Sequence, residues 1–186
     1  MSTKIDSEQQ LIADCRRNKA SAQRQIYERY APAMLGICVR YVGNRETARD
    51  VLQDGFIKLF TKIDDYAGGS FQAWVRAIFV TTALETLRKQ DVLRYTVDID
   101  DYHEILEDED NSIIDQMSGK DLMDYIAKLP DNCRTVFNMY AIEGYSHAEI
   151  ANILHIKEVT VRSQFCRARK FLKEKIEKHH IKKEYA

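Results

Sequence analysis

The segment Tyr145-Ser146-His147-Ala148-Glu149-Ile150-Ala151-Asn152-Ile153-Leu154-His155-Ile156, with the basic run from Lys157 to Lys175, constrains the fold more than any other part of the chain. Ser146 and Glu149 form an S-x-x-E pattern. Its hydroxyl and carboxylate can take the backbone N–H groups that a first helical turn leaves without partners, so a helix should start at Ser146. Ile150, Ala151 and Leu154 give that helix an apolar stripe, and His155-Ile156 supplies a tight turn. A second, longer helix restarts near Lys157 or Glu158. Val161, Phe165, Ala168 and Leu172 recur at i, i+4, i+7 and i+11, which is one buried face. The opposite face carries Val159, Ser163, Cys166, Arg167 and Lys170, flanked by Thr160 and Arg162. These short and basic side chains can reach base edges and phosphates, so the unit reads as a helix-turn-helix with its second helix suited to a DNA major groove.

A capped helix, a turn and a basic amphipathic helix also fit a protein-binding hairpin with a solvated face, and the pattern alone leaves both readings open. Charge tilts the balance towards DNA. From Lys157 to Lys183 there are ten basic residues (157, 162, 167, 169, 170, 173, 175, 178, 182 and 183) against Glu158, Glu174 and Glu177, a surplus of seven. The net charge of -1 over 186 residues hides this surplus. A phosphate backbone responds to the local value, because salt screens distant charges.

Composition bounds the rest. A chain that is 45% hydrophobic and 31% charged is globular, and its length allows one or two small domains. Only 2 prolines and 7 glycines interrupt long helical periodicities. No apolar run approaches membrane-spanning length and the polar Met1-Ser2-Thr3-Lys4 start is unlike a signal peptide, so a cytoplasmic location is expected. Cys15, Cys38, Cys133 and Cys166 are far apart with no C-x-x-C pair. Packing residues are therefore expected rather than a disulfide or structural zinc. His179-His180 reads as part of a solvated tail. No metal and no cofactor are expected.

The expected fold is all-α, with two small helical domains joined by a flexible acidic linker. Residues 1–93 form the first domain, 94–118 the linker and 119–186 the helix-turn-helix domain. The linker holds Asp98, Asp100, Asp101, Glu104, Glu107, Asp108, Glu109, Asp110 and Asp115, a block that repels itself. It reads equally as a plain solvated tether or as an acidic mimic of nucleic acid. In the first domain, Gln9 to Arg17 reads as one helix and Ala20 to Val42 as another, with Pro32 expected to kink or interrupt it. Asn44 caps a third helix running to about Ile63, with Ala48, Val51, Leu52, Gly55, Phe56, Leu59 and Phe60 as its apolar positions. Asp64 to Ser70 is a loop, and a fourth helix runs from Ser70 or Phe71 to about Lys89. In the second domain a helix near Lys120 to Lys128 stops at Leu129-Pro130. Asp131 is expected to cap the next helix, which ends at Gly144.

Several segments together resemble the extracytoplasmic-function (group IV) sigma factors of bacterial RNA polymerase. Asp50-Val51-Leu52-Gln53-Asp54-Gly55-Phe56-Ile57-Lys58-Leu59-Phe60 is similar to that family's D-x-x-Q-E-x-F helix. Ser70-Phe71-x-x-Trp74 followed by Ile78 and Arg88 resembles the next helix. Leu129-Pro130, Val136-Phe137, Glu143-Gly144-Tyr145-Ser146 and Ile150-Ala151, then Thr160-Val161-Arg162-Ser163 and Arg167-Ala168-Arg169, complete the likeness in family order. The resemblance implies a non-catalytic subunit that binds core RNA polymerase and directs promoter-specific initiation through the −10 and −35 elements. Asp50, Gln53, Asp54 and Phe56 would dock on the polymerase. Tyr66, Phe71, Arg76 and Thr81 would act at the −10 element, where melting requires capture of a base that has left the stack. Tyr66, on the loop, is the better candidate for an exposed aromatic. Trp74, with Ile78 at i+4, reads as a core residue. Thr160, Arg162, Ser163, Cys166, Arg167 and Lys170 would face the −35 element.

The resemblance also implies an anti-sigma partner, in many cases membrane-bound, and no small-molecule substrate. The sequence departs from the family pattern at Ala77, Thr81 and Glu85, where Arg, Asn and Asp are common, and at His155, where a turn glycine is common. Thr81 cannot make the bidentate base contact of an amide. Two other functions are weighed against this one. A stand-alone helix-turn-helix regulator would use only the second domain. An enzyme would need a phosphate-binding glycine loop, metal-ligand spacing or a nucleophile–base grouping, and none is found in the sequence.

Overall fold

The computed structural model describes the backbone of residues 2–89 and 119–184 and the side chains of residues 8–89 and 122–176. The expected acidic linker, and the Lys178, His179, His180, Lys182 and Lys183 side chains, lie outside the described residues. Among the described residues every regular element is helical. The chain divides into two compact units, Met1–Lys89 and Gln90–Ala186.

In the first unit, α1 (Ser2–Arg16) packs on α2 (Ala20–Val42), and α2, α3 (Arg45–Thr61) and α4 (Phe71–Lys89) pack on one another. Gly43, at φ 76°, ends α2 in the left-handed conformation with its N–H bonded to the Val39 carbonyl. That region costs a side chain energy but suits glycine. The next residue starts α3: the Asn44 side chain accepts from the Thr47 N–H at 2.8 Å. A 3-10 turn, Ile63–Asp65, follows α3. Pro32 does not interrupt α2, the stronger of its two expected effects, and lies inside one continuous helix. Proline removes one intrahelical hydrogen bond. Here the ring is exposed, and the helix is anchored on both sides of it by Ile26 and Tyr30 before and Met34, Ile37, Cys38 and Tyr41 after, all buried.

Close approach of α3 and α4 centres on Gly55. The Phe79 ring occupies the space beside its Cα, and a Cβ there would fall 2.5 Å from Phe79 Cδ1. Phe79 is fully buried and meets Phe56 edge-on at 5.0 Å, which leaves its ring no room to move aside.

In the second unit, α5 (Gly119–Ile126) leads through Leu129-Pro130 into α6 (Asp131–Phe137), a π-helical turn (Asn138–Ile142), α7 (His147–Leu154) and α8 (Glu158–Glu184). The expected cap at Asp131 is corrected. Pro130 occupies the cap position, and Asp131 is the first helical residue, ion-paired with Arg134. Arg134 is 4% exposed and donates to the carbonyls of Leu129 at 2.9 Å and Ala127 at 3.4 Å, satisfying backbone acceptors of the α5–α6 turn. The single helix expected up to Gly144 is instead α6 followed by the π-turn, in which the Glu143 N–H reaches the Asn138 carbonyl at 2.9 Å. Ile126, Val136, Met139, Ile150, Val161, Ala168, Leu172 and Ile176 form the buried core.

In an open mid-helix position, glycine to alanine stabilises by about 1 kcal/mol. Gly55→Ala should do the reverse. Overpacking against Phe79 lowers stability by about 1–2 kcal/mol, a fall of roughly 5–10 °C in the thermal midpoint of a unit this size. Circular dichroism of the purified protein checks it, and an unchanged or raised midpoint contradicts the packing described.

Candidate functional site

The helix-turn-helix is built from the cap outward. Ser146 sits in extended backbone (φ −70°, ψ 159°), and its hydroxyl oxygen accepts from the Glu149 N–H at 3.2 Å. The Glu149 carboxylate in turn accepts from the Ser146 N–H at 2.8 Å and from its hydroxyl at 2.7 Å. These bonds, the backbone one first, hold the Glu149 carboxyl below its ordinary value of 4.5. At the other end His155 adopts φ 58°, ψ 43°, with its N–H on the Ala151 carbonyl. Histidine thus takes the left-handed turn position where glycine is common, a conformation few non-glycine residues accept.

The buried face of α7 (Ile150, Ala151, Leu154) meets that of α8 (Val161, Phe165, Ala168, Leu172), so the turn is a packed corner. Phe165 also receives Phe137, Tyr140 and His147, with Tyr140 and His147 stacked at 4.3 Å. Away from this face α8 presents Arg162 and Lys170 exposed, and Ser163, Cys166 and Arg167 half-buried. Arg162 binds Glu158 one turn earlier at 2.7 Å, and both groups remain exposed.

Thr160 is corrected: it is 8% exposed and does not belong to the outer face. The buried arc of α8 is wider than the apolar periodicity shows. Gln164, one turn after Thr160, is 6% exposed and accepts from the Cys133 thiol of α6 at 2.9 Å, so this flank of α8 faces α6. A polar pair inside a core carries no hydrophobic signal, which is why the sequence pattern placed the boundary too early.

In the first unit, Asp50, Gln53 and Asp54 lie exposed along one stripe of α3. Phe56 is buried, as its place among the apolar positions of α3 leads one to expect: at 4% exposure its ring sits among Tyr27 (4.7 Å), Phe79 (5.0 Å) and Phe60 (5.9 Å), and it orients the helix from within rather than lying on the exposed stripe. The apolar residue the stripe does offer is Ile57, 64% exposed. Sequence reasoning missed it, although a β-branched residue three or four positions after Gln53 and Asp54 on a polar face was a readable signal.

Tyr66 of the loop is half-buried. Its hydroxyl donates to the Gly69 carbonyl at 2.6 Å, and its ring lies 5.2 Å from Phe71 and 5.4 Å from Trp74. Gly68 and Gly69 hold φ of 115° and 90°, values that bring the loop back without strain only in glycine. Phe71 is corrected as well. It is 1% exposed beneath Tyr66 and Trp74, edge-on to Tyr30 at 5.7 Å, and so supports the loop from below. Trp74, read from sequence as core, is only half-buried. On α4, Ala77 and Thr81 are exposed, Arg76 is half-buried, and Glu85 is joined to Lys58 of α3 at 2.5 Å. Among the described residues no group of three or more His, Cys, Asp or Glu side chains could hold a metal ion, and no helix is long and apolar enough to cross a membrane.

Residues 26–92 match the family described as Sigma-70 region 2, and residues 119–172 match Sigma-70 region 4. Over 182 residues the chain is 30% identical to the ECF RNA polymerase sigma-E factor of Haemophilus influenzae, which spans 92% of this chain and 96% of that protein. The chain belongs to the ECF sigma factors. This sigma factor is also 28% identical over 158 residues to ECF RNA polymerase sigma factor SigE of Mycolicibacterium smegmatis, covering 83% of this chain and 62% of that one. Its fold is similar to that of the sigma factor RpoE of Bartonella quintana, solved with the anti-sigma factor NepR. The TM-score is 0.50 at 20% identity, over 81% of this chain and 94% of that chain. As a sigma factor it directs promoter-specific transcription initiation by RNA polymerase.

The Ser146–Glu149 cap has a pH signature. A carboxyl depressed in the folded state contributes stability above its unfolded value, and that contribution is lost as pH falls through the folded value. The difference in thermal midpoint between the native sigma factor and Glu149→Gln should therefore be full near neutrality and shrink as pH falls below 4.5. A difference that stays constant from pH 7 to about 3 contradicts the bonding described.

Proposed function

We propose that the two units of this sigma factor divide promoter recognition between them. The second reads the −35 element with the outer face of α8, and the first docks on core polymerase and opens the −10 element. The observation that carries this reading is the capped, corner-packed helix-turn-helix, which presents Arg162, Ser163, Cys166, Arg167 and Lys170 on the side of α8 away from its core. Arg162 or Arg167 can pair with guanine, Cys166 offers an apolar contact to a thymine methyl, and Lys170 suits a phosphate. Thr160, being buried, is left out.

Asp50, Gln53 and Asp54 supply an acidic and amide stripe for docking, with Ile57 as its apolar centre. Charges at the rim of such a surface speed and orient encounter, whereas a buried apolar residue holds the complex. At the −10 element, the Tyr66–Trp74 surface over Phe71, with Arg76 and Thr81 on α4, has the aromatic walls and polar rim that suit an unstacked base. The sigma factor acts without catalysis of its own, and works in the cytoplasm beside polymerase and DNA. An anti-sigma factor is its regulatory partner, as NepR is the partner of the Bartonella quintana protein in its complex. A stand-alone regulator would leave the region 2 match at residues 26–92 without a role.

Paired charge reversal, Asp50→Lys with Asp54→Lys, should weaken binding to core polymerase about tenfold or more, read by competition against the native sigma factor. Arg167→Ala should leave core binding unchanged, while lowering the preference for the −35 element over mutated sequence by about tenfold. Full core binding after charge reversal removes α3 from the interface. Tight unaided binding to a palindromic site, with indifference to core polymerase, sinks the whole reading.

A further inference from the structure

The region 2 match begins at residue 26, so α1 lies upstream of it. Yet the last residue of α1 reaches the loop that follows α3. The Arg16 guanidinium donates through Nη2 to the Tyr66 carbonyl at 2.5 Å and through Nε to the Ile63 carbonyl at 3.4 Å, and lies 3.8 Å from the Asp64 carboxylate. One planar fork thereby spans the 3-10 turn Ile63–Asp65 and the first residue after it, across 47 and 50 positions of sequence. The middle of the same helix braces the loop from a second side. Glu8 accepts from the Tyr30 hydroxyl at 3.0 Å, and the Tyr30 ring packs edge-on against Phe71, beneath Tyr66.

The end of α1 is itself held. Asp14 takes Lys19 at 2.9 Å and Arg17 at 3.8 Å, and Asn18 turns the chain at φ 55° with its N–H on the Cys15 carbonyl. Beyond Tyr66 the loop is tied by the Tyr66 hydroxyl donating to the Gly69 carbonyl at 2.6 Å and by the Ser70 hydroxyl accepting from the Ala73 N–H at 3.2 Å, both contacts within the loop and the first turn of α4. Gly68 and Gly69 follow, and a Cβ at either would meet nothing within 4 Å. A pocket that discriminates one base from another must be held to a fraction of an ångström, and a glycine-rich loop does not achieve that alone.

We propose that Arg16 is a positioning residue that sets the loop Asp64–Ser70 in its base-reading geometry, so that α1 governs the sharpness of −10 recognition. This rests on the reading of that loop as the base-capturing element. Arginine suits the task because its rigid fork can serve two carbonyls and a carboxylate at once, which a lysine ammonium cannot do in the same geometry.

The experiment uses the full chain assembled with core polymerase. A randomised pool of single-stranded DNA is captured on this holoenzyme and sequenced, giving a base preference at each position. Arg16→Ala should reduce the strongest preferences about fivefold, the loss of a partly exposed charged hydrogen-bond set. Core affinity and total capture of the pool should stay within about twofold of the native protein, because phosphate contacts supply most of the non-specific binding. Arg16→Lys should retain part of the preference and Arg16→Gln less. Should Arg16→Ala fail to fold, those two variants decide the comparison by the same readout.

Unchanged preferences in the Arg16 variants overturn the proposal, as does a parallel fall of preference, capture and core binding, which marks a merely structural residue. Tyr66→Ala separates the two levels of the argument. If it flattens the preferences and the Arg16 variants do not, the loop reads bases without help from α1. If neither flattens them, the loop is not the reader and both ideas fall.

Discussion

Rotation of α3 about its own axis is the constraint on which the first unit depends, and Gly55 sets it. Without a side chain at that position, the Phe79 ring lies against the α3 backbone, and Phe56 closes on the same ring from one residue further along. This contact turns Phe56 inward and leaves Asp50, Gln53, Asp54 and Ile57 outward. A helix with polar residues on one side can roll by tens of degrees while still burying apolar area, since the hydrophobic effect is not directional. Close packing is directional, and it removes that freedom. The exposed stripe, proposed above as the docking surface, is thus defined by what happens on the far side of the helix.

A similar rule governs the second unit, with a polar addition. The α8 stripe of Val161, Phe165, Ala168, Leu172 and Ile176 would allow some roll. The Cys133 thiol bound to Gln164 fixes one flank against α6, and the Phe165 ring fixes the other among Tyr140, His147 and Phe137. Buried polar groups contribute little net stability but specify geometry, because only one arrangement satisfies them. The residues left on the outer face of α8, proposed above to read DNA, are those that these contacts exclude from the core.

Much of this was legible in the amino-acid pattern, and the misses share a physical cause. Local chemistry was read well: the Asn44 cap, the Ser146–Glu149 box, the His155 turn and the limits of α4 follow from hydrogen-bonding needs confined to a few residues. So was the α8 stripe, which depends on periodicity alone. Phe56 and Phe71 were given partner-facing roles on family resemblance, and Thr160 was set beside the outer face by periodicity; all three are buried. Motif position says which residues matter without saying whether they touch a partner or hold up the residue that does. Asp131 was misread because its carboxylate pairs with Arg134, three residues further along α6, while Pro130 takes the cap position. The interruption that Pro32 invites is outweighed by packing on either side. The Arg16 bridge had no signal at all, since nothing in a sequence announces a contact 50 positions long.

On the proposed reading of α8, the Arg162–Glu158 pair bears on how that helix meets DNA. A guanidinium already engaged with a carboxylate on its own helix meets a passing phosphate as a competitor, and exposed pairs of this spacing are worth only about 0.3–0.5 kcal/mol. Such a latch is too weak to keep Arg162 from a guanine edge, which offers two acceptors in the right plane. On that reading, any phosphate or base that engages Arg162 displaces Glu158 first, a small toll exacted one turn away from the side chain it restrains.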